Sequence, residues 1–503
     1  MSMPAELIRP HVTLAQLLKG FANAPAIQIH GLASDSRRLG AGDVFVALDG
    51  SRCHGLDFLA QALDAGVAAV LFDPATAAAD PRECNIPLIP VAGLATRVGD
   101  IANRWFGTPS ATMAVTGVTG TNGKTTVAFL IAQCRQLLQD KAAYIGTLGA
   151  GMDELSNGGM TTPACIDLHE LLARFHDSKA THVALEVSSH GIQQERIAGV
   201  QFDSAIFTNL TRDHIDYHGD MESYGNTKAR LFLEHKLNHR IINIDCDFGK
   251  KLAARCSENL IVVSIQKRAK IQGRPHAVVQ RMTALENGIK VSVATSWGNG
   301  ELILPLYGDF NVANAVAVLA LLLAQGVSMH DACGALQNVS PPSGRMQRLQ
   351  HSAMPAVFVD YAHTPAGLQS ALQALRPHCA GKLWCIFGCG GERDQGKRPM
   401  MGEIAARLAD HTVVTNDNPR SEAPGTIIRH ILSGMTQPTV VIEDRAAAIA
   451  YAISQAGDDD LILIAGKGHE QFQHTGDERR PFSDQAIALA NLAVRQAPGG
   501  TRT

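Results

Sequence analysis

The chain has 503 residues, 46% of them hydrophobic and 18% charged, which is enough for about three folded domains and excludes a disordered protein. A formal net charge of −3 argues against a general nucleic-acid binder. The ten cysteines contain no Cys-x-x-Cys pair, the nearest two being Cys385 and Cys389, and no His cluster completes a zinc pattern, so they read as cytosolic thiols packed in cores. Met1–Pro10 carries no apolar signal core, and the longest apolar run, Ala315 to Ala324, falls short of the about 20 residues a bilayer needs. The expectation is a soluble cytoplasmic protein with no membrane and no nucleic-acid partner.

Residues 1–110 read as a small α/β domain. Strands are expected at Asp43–Leu48 and Ala68–Phe72, with a helix at Phe58–Ala65 between them. Two polar turns, Ser34-Asp-Ser-Arg37 and Ser51-Arg-Cys-His-Gly55, are on their own ordinary turn chemistry.

Residues 111–345 read as a central domain built around Ala114-Val-Thr-Gly-Val-Thr-Gly-Thr-Asn-Gly-Lys-Thr-Thr126. Met113–Val115 is the expected strand, and Val127, Leu130, Ile131, Cys134 and Leu138 recur at helical spacing behind it. Strand, Gly-rich loop, Lys-Thr and helix form a phosphate cradle, in which backbone N–H groups and the helix dipole meet an anion. Lys124 would reach the β- and γ-phosphates and the Thr125 hydroxyl would bind Mg²⁺. Gly117 and Gly123 are separated by five residues, where the standard loop has four.

Glu186 ends the apolar strand His182–Val187, where a carboxylate could hold the nucleotide's Mg²⁺. Strand Ala205–Thr208 leads into a stretch holding Asp213, His214, Asp216 and His218, which reads as a metal or phosphate site or as a solvated polar turn. Residue types alone make Lys228, in a helical segment with Tyr224 and Leu231, a surface residue. Asn311 and Asn314 stand at the start of an apolar helix ending near Ala324, where capping suffices to explain them. Pro341–Met346 reads as a linker.

Residues 346–503 alternate strands and helices in the doubly wound manner. Ala356–Val359, Leu383–Phe387, Thr412–Thr415 and Leu461–Ile464 each run into a polar cluster, and open α/β sheets bind ligands beyond the carboxyl ends of their strands. Arg393, Arg420 and Glu470 fall in these clusters and suit an anionic second substrate. The residues alone thus predict an Mg²⁺-nucleotide site and a separate cleft.

Taken together, Gly120-Thr-Asn-Gly-Lys-Thr-Thr126, Glu186-Val-Ser-Ser-His-Gly191, Asn209-Leu-Thr-Arg-Asp-His214, Gly308-Asp-Phe-Asn-Val-Ala-Asn314 and Asp360-Tyr-Ala-His-Thr-Pro365 resemble the Mur ligase family over nearly the whole chain. The family's phosphate loop has the longer spacing noted above. The resemblance implies three α/β domains: an N-terminal UDP-binding domain, a central P-loop domain with a mostly parallel sheet, and a Rossmann-like C-terminal domain. It also implies a monomer that forms amide bonds from ATP through an acyl phosphate in peptidoglycan precursor synthesis.

By this resemblance Gly120, Thr121, Asn122, Gly123, Lys124, Thr125, Thr126, Asn311, Arg345, Asp360 and His363 surround ATP. Thr125, Glu186, His214 and a carbamylated Lys228 hold two Mg²⁺ ions, and Lys124, Glu186, His214 and Lys228 are the catalytic set. Ser34, Ser36, Ser51, Arg52 and Cys53 match UDP-contacting positions, and Thr161, Thr162, Ser188, Gln194 and Arg196 match those for the muramoyl dipeptide. Asp417-Asn-Pro-Arg420 is similar to the signature of members that use meso-2,6-diaminopimelate, with Arg393, Asp417, Asn418, Pro419, Arg420, Gly466 and Glu470 around that substrate. The implied rivals are a lysine-adding member and a folylpolyglutamate synthase-like ligase.

Overall fold

The computed structural model describes residues 12–50, 53–77, 84–156, 160–266, 273–349, 355–392, 394–436 and 439–496. The chain divides into two compact units, one reaching to Val263 and the other from His276 onward.

The first unit opens with a four-stranded parallel sheet in the order Gly31–Ala33, Asp43–Ala47, Ala69–Phe72, Leu88–Pro90. Val44, Val46, Ala69 and Leu71 alternate onto one face and pack with Leu94, Val98 and Ile101 of helix Leu94–Trp105. The expected helix Phe58–Ala65 is a 3-10 turn at Gly55–Phe58 continued by helix Leu59–Asp64. Cys165 and Ile166 join the same apolar cluster, and a Cβ on Gly99 would lie 2.3 Å from the Ala198 carbonyl. The small sheet is therefore packed directly onto the rest of its unit.

The larger sheet of this unit runs Leu260–Ser264, His239–Asn243, Ser204–Phe207, Ala114–Thr119, His182–Glu186, Ala142–Gly146 in parallel, with Gly149–Gly151 antiparallel at the edge. The strand expected at Met113–Val115 runs instead from Ala114 to Thr119. Thr116, Gly117 and Thr119 are small or polar and carry no strand signal of their own. Pairing on both sides makes them strand, with Gly117 against Leu185 and Ala205. A Cβ on Gly117 would come within 2.9 Å of the Phe202 ring, so this glycine serves packing and the phosphate loop begins at Gly120. Register sets Val118 opposite Glu186 and Thr119 opposite Phe207, which brings three chain reversals to one edge.

The second unit begins with antiparallel strands His276–Leu285, Gly288–Thr295 and Gly298–Leu304, followed by the almost wholly buried helix Asp309–Ala324. Its six-stranded sheet runs Gln347–Leu349, Ala356–Asp360, Leu461–Ala465, Leu383–Phe387, His411–Val414, Val440–Val441. Only the first pair is antiparallel. The four expected strands are all present, each within a residue of its expected start, and their carboxyl ends share one edge.

Beneath that edge Arg445 makes a two-pronged ion pair with Asp484, Nε to Oδ1 at 2.7 Å and Nη2 to Oδ2 at 2.8 Å, both side chains fully buried. Arg445 also donates to the carbonyls of Asn416 (3.2 Å) and Ala465 (2.9 Å), supporting two of the strand-end loops. Removing one partner of such a pair strands a charge in the core. Asp484→Ala is expected to destabilise the fold by about 3–5 kcal/mol, read as a lower urea midpoint.

Candidate functional site

At Gly120 φ is 149° and an added Cβ would lie 1.9 Å from Thr208 Oγ1, so no side chain fits. Gly123, with φ 86°, is the N-cap of helix Lys124–Leu137 and has no side chain to cap its amides. A 14-residue helix thus presents its uncapped, partly positive end at the loop. The loop is held by the next strand end. Thr121 N–H donates to Asn209 O (2.9 Å), Asn122 N–H to Asn209 Oδ1 (3.0 Å), and Thr208 Oγ1 to Asn122 O (2.6 Å). Lys124 Nζ lies over the loop, donating to Gly120 O at 3.0 Å and Thr121 O at 2.9 Å.

Glu186 is fully buried. Its carboxylate accepts from Thr125 Oγ1 (2.9 Å), from Thr147 N–H (2.9 Å) and from the Tyr144 hydroxyl. Tyr144 and Thr147 were missed in the sequence, since they lie 42 and 39 residues away on a neighbouring strand and its following turn. A hydroxyl and a buried carboxylate in contact are the hard oxygen donors that suit Mg²⁺, which uses one or two carboxylates plus phosphate and water rather than an all-protein cage. Accordingly, among the described residues no cluster of three or more His, Cys, Asp or Glu side chains gathers for a metal.

Lys228, expected at the surface of its helix, is 1% exposed. Helix Met221–Leu233 packs its Tyr224–Lys228–Leu231 face inward, and Lys228 Nζ donates to Gly120 O at 2.9 Å, the carbonyl Lys124 also uses. Burial, then the Lys124 charge, hold the Lys228 amine well below the usual lysine range, against an opposing pull from Asp213. As an ammonium Lys228 would repel a cation; as a carbamate it would supply an anionic oxygen.

His214 sits in the left-handed region, φ 54°, ahead of the short helix Ile215–His218, and its Nε2 is 3.4 Å from Asp213 Oδ2. Its ring meets His190 edge-on at 4.8 Å, and His190 lies 4.2 Å from Tyr217. Burial first, then His214, His218 and Arg196, push His190 down to about 4; burial also lowers His214. These imidazoles are neutral at pH 7, as a metal ligand must be.

The residues expected from the resemblance at the muramoyl dipeptide join this network. Thr162 Oγ1 donates to Glu186 O (2.8 Å) and accepts from Ser188 N–H (3.0 Å), while Thr161 Oγ1 is 3.1 Å from Thr147 Oγ1. Arg196 Nη1 donates to Thr162 O (2.9 Å), its Nη2 bonds Gln194, and Gln194 Nε2 donates to the Tyr217 hydroxyl (3.3 Å). Of the N-terminal set, Ser36 Oγ donates to Gln61 Oε1 (2.8 Å) and Cys53 is exposed; Ser51 and Arg52 lie outside the described residues. Ser34 precedes the 3-10 turn Ser36–Arg38, whose Arg38 pairs with Asp167 and with Glu170 (3.1 Å) of helix Cys165–Asp177, so that turn is tied to the helix following Thr162. Arg38 was not singled out in the sequence.

In the second unit Asn311 and Asn314 are not caps. Gly308 is the N-cap, and both asparagines are buried, Asn311 Nδ2 donating to Tyr307 O (2.9 Å) and Asn314 Nδ2 to Asn311 Oδ1 (3.2 Å). Asp360 accepts from Met346 N–H (2.7 Å) and Ala362 N–H (2.9 Å), Arg345 lies over the Tyr361 ring at 4.4 Å, and His363 meets that ring edge-on at 4.6 Å.

The strand-end loops of this unit interlock. Arg420, φ 52°, donates from Nη1 to Gly391 O (2.6 Å), and its backbone bridges to His474 O (3.1 Å) and Gly476 N–H (2.7 Å). Asn418 Nδ2 donates to Glu470 Oε2 at 2.8 Å. Asp417 and Gly466 face each other, a Cβ on Gly466 falling 2.6 Å from Asp417 Oδ2; Pro419 O leaves no room for one on Gly391. Arg393 lies outside the described residues. A guanidinium and a carboxylate on adjoining loops can hold a carboxylate and an ammonium, the two ends of an amino-acid head.

Residues 28–106 match the Mur ligase family catalytic domain, 118–322 the Mur ligase middle domain, and 344–468 the Mur ligase glutamate ligase domain. The chain is 44% identical over 495 residues to the UDP-N-acetylmuramoyl-L-alanyl-D-glutamate--2,6-diaminopimelate ligase of Alkalilimnicola ehrlichii, covering 96% of this chain and 99% of that one. It is 45% identical over 473 residues to the enzyme of the same name from Chromobacterium violaceum, covering 93% and 95%. A solved structure of a ligase of that name superposes with a TM-score of 0.71 at 29% identity, over 97% of this chain and 100% of the other. A folylpolyglutamate synthase from Mycobacterium tuberculosis, solved with ADP and AMPPCP, shares the fold at TM-score 0.60 and 18% identity over 74% of this chain and 92% of its own.

Proposed function

The chain belongs to the Mur ligase family, and on that footing we propose that it adds meso-2,6-diaminopimelate to the D-glutamate γ-carboxylate of UDP-N-acetylmuramoyl-L-alanyl-D-glutamate. It is an ATP-dependent amide-bond-forming ligase of peptidoglycan precursor synthesis. We place it in the cytoplasm as a monomer; among the described residues no helix is long and apolar enough to cross a membrane. The proposed domains are 1–110, 111–345 and 346–503; the matched family segments are 28–106, 118–322 and 344–468, the last beginning two residues before the proposed boundary. The observation that carries the substrate reading is the folding of Asp417-Asn-Pro-Arg420 against Gly466–Glu470, which sets Arg420 and Glu470 on adjoining loops.

The γ-phosphoryl of ATP passes to the γ-carboxylate, giving an acyl phosphate and ADP. The diaminopimelate amine attacks the acyl carbon and loses a proton, and phosphate leaves. A carboxylate is a poor electrophile, so this supplies the leaving group, and the protein's work is positioning and charge stabilisation. Lys124 and the uncapped helix end hold the phosphates. Thr125 and Glu186 would hold one Mg²⁺, and His214 with carbamylated Lys228 a second, neutralising charge on the phosphate oxygens. Thr161, Thr162, Ser188, Gln194 and Arg196 orient the dipeptide, and Ser34, Ser36, Ser51, Arg52 and Cys53 the UDP. Asn311, Arg345, Asp360 and His363 carry over as nucleotide contacts by resemblance.

The test is phosphate release from ATP with the UDP-linked dipeptide and a panel of amines. Release is expected with diaminopimelate and not with lysine. Lysine-dependent release would favour the lysine-adding alternative, folate-dependent release the folylpolyglutamate synthase one, and no amine dependence would indicate a nucleotide sensor.

A further inference from the structure

Lys467 drew no role from the sequence, yet it is the fully buried hub of the strand-end loops in the second unit. An ammonium has three donors, and Lys467 Nζ spends them on Asn418 Oδ1 (2.9 Å), Glu470 Oε2 (2.9 Å) and Phe472 O (2.7 Å). Asn418 Oδ1 also accepts from His474 N–H at 3.1 Å. With that oxygen committed twice, the Asn418 amide has one orientation, and its Nδ2 must face Glu470 Oε2. Burial lifts the Glu470 carboxyl, but the Lys467 charge and the hydrogen bonds from Lys467 and Asn418 outweigh it and hold the group below its usual range. The Glu470 side chain remains 32% exposed, whereas Lys467 shows no surface to a ligand.

We propose that Lys467 is a positioning and specificity-determining residue for the amino-acid substrate, acting through Asn418 and Glu470 without touching the ligand. This rests on the ligase reading above. By fixing the Glu470 rotamer it aims one carboxylate at an incoming ammonium. By neutralising part of that carboxylate's charge, it leaves too little attraction to bind an ammonium alone. An amine is then retained only when a carboxylate beside it pairs with Arg420, a condition that diaminopimelate meets and lysine does not. Without Lys467, Glu470 loses its fixed rotamer, so it holds the diaminopimelate ammonium less well and no longer distinguishes it from that of lysine.

The experiment compares wild type, Lys467→Met, Glu470→Gln and the double variant in the phosphate-release assay. Loss of charge-assisted hydrogen bonds predicts a KM for diaminopimelate raised roughly tenfold to a hundredfold in Lys467→Met, with the KM for ATP within about threefold of wild type. The kcat/KM preference for diaminopimelate over lysine should narrow about tenfold. In the Glu470→Gln background Lys467→Met should add less than it does alone, because the charge at position 470 that Lys467 offsets is gone. Should Lys467→Met prove insoluble, Lys467→Gln, which keeps one amide donor, is read the same way. An unchanged KM for diaminopimelate, equal shifts in both KM values, or full additivity in the double variant overturns the proposal. A wild-type enzyme with no diaminopimelate-dependent release instead overturns the ligase reading, and this inference with it.

Discussion

Lys228→Ala is expected to lower turnover on the order of a thousandfold, the scale of losing a charge-stabilising group in a water-poor site. Lys228 is buried, shares the Gly120 carbonyl with Lys124, and is held well below the usual lysine range by burial and by Lys124. A lowered value means that the unprotonated amine is more populated than in an ordinary lysine. That form can add to CO₂, forming an N–C bond and releasing a proton, which puts an anionic oxygen ligand where an ammonium would repel the metal. The sign follows: acidification protonates the amine and disfavours carbamate, so activity should fall at low pH and recover with bicarbonate. Lys228→Arg separates the alternatives, because it keeps a cation and cannot form the carbamate; it should be as inactive as Lys228→Ala. Labelled bicarbonate should give a carbamate carbon signal in wild type that both variants lack. A bare amine at Lys228 in fully active enzyme would refute the assignment.

On the proposed substrate reading, Arg420→Ala is expected to raise the KM for diaminopimelate about a hundredfold and leave that for ATP nearly unchanged, since the charge-assisted hydrogen bonds proposed for its distal carboxylate would be lost. The substitution is clean on the backbone. Arg420 already occupies φ 52°, so alanine adds no strain that arginine did not bear, and the main-chain bonds to His474 and Gly476 remain. Gly391 is buried, so its freed carbonyl adds a stability cost of about 1–3 kcal/mol, which a urea midpoint separates from the effect on KM. Lysine, with no distal carboxylate, should lose nothing, so preference between the two amines should collapse. A variant whose KM rises equally for ATP and diaminopimelate would remove Arg420 from the substrate's far end.

Local chemistry was readable wherever a short stretch carries its own geometry. The phosphate loop, the four strand-end clusters of the last region and Glu186 at a strand terminus all stand where their residue types place them, because parallel strands deliver their carboxyl ends to one edge whatever lies between them. The errors have one cause. The strand continues past Val115 because flanking strands bury small and polar residues that carry no local strand pattern, and Asn311 does not cap its helix because that helix is buried and Gly308 is its N-cap.

The sequence by itself thus determined the alternation of strands and helices, the phosphate cradle and the charge types of the second cleft. Tertiary structure alone decided which charges are buried and which partners they meet. Lys228 finds Gly120 across 108 residues, Glu186 finds Tyr144 across 42, and Lys467 finds Asn418 across 49. Burial is a property of what packs over a side chain, and that covering comes from distant strands and helices that no local pattern names.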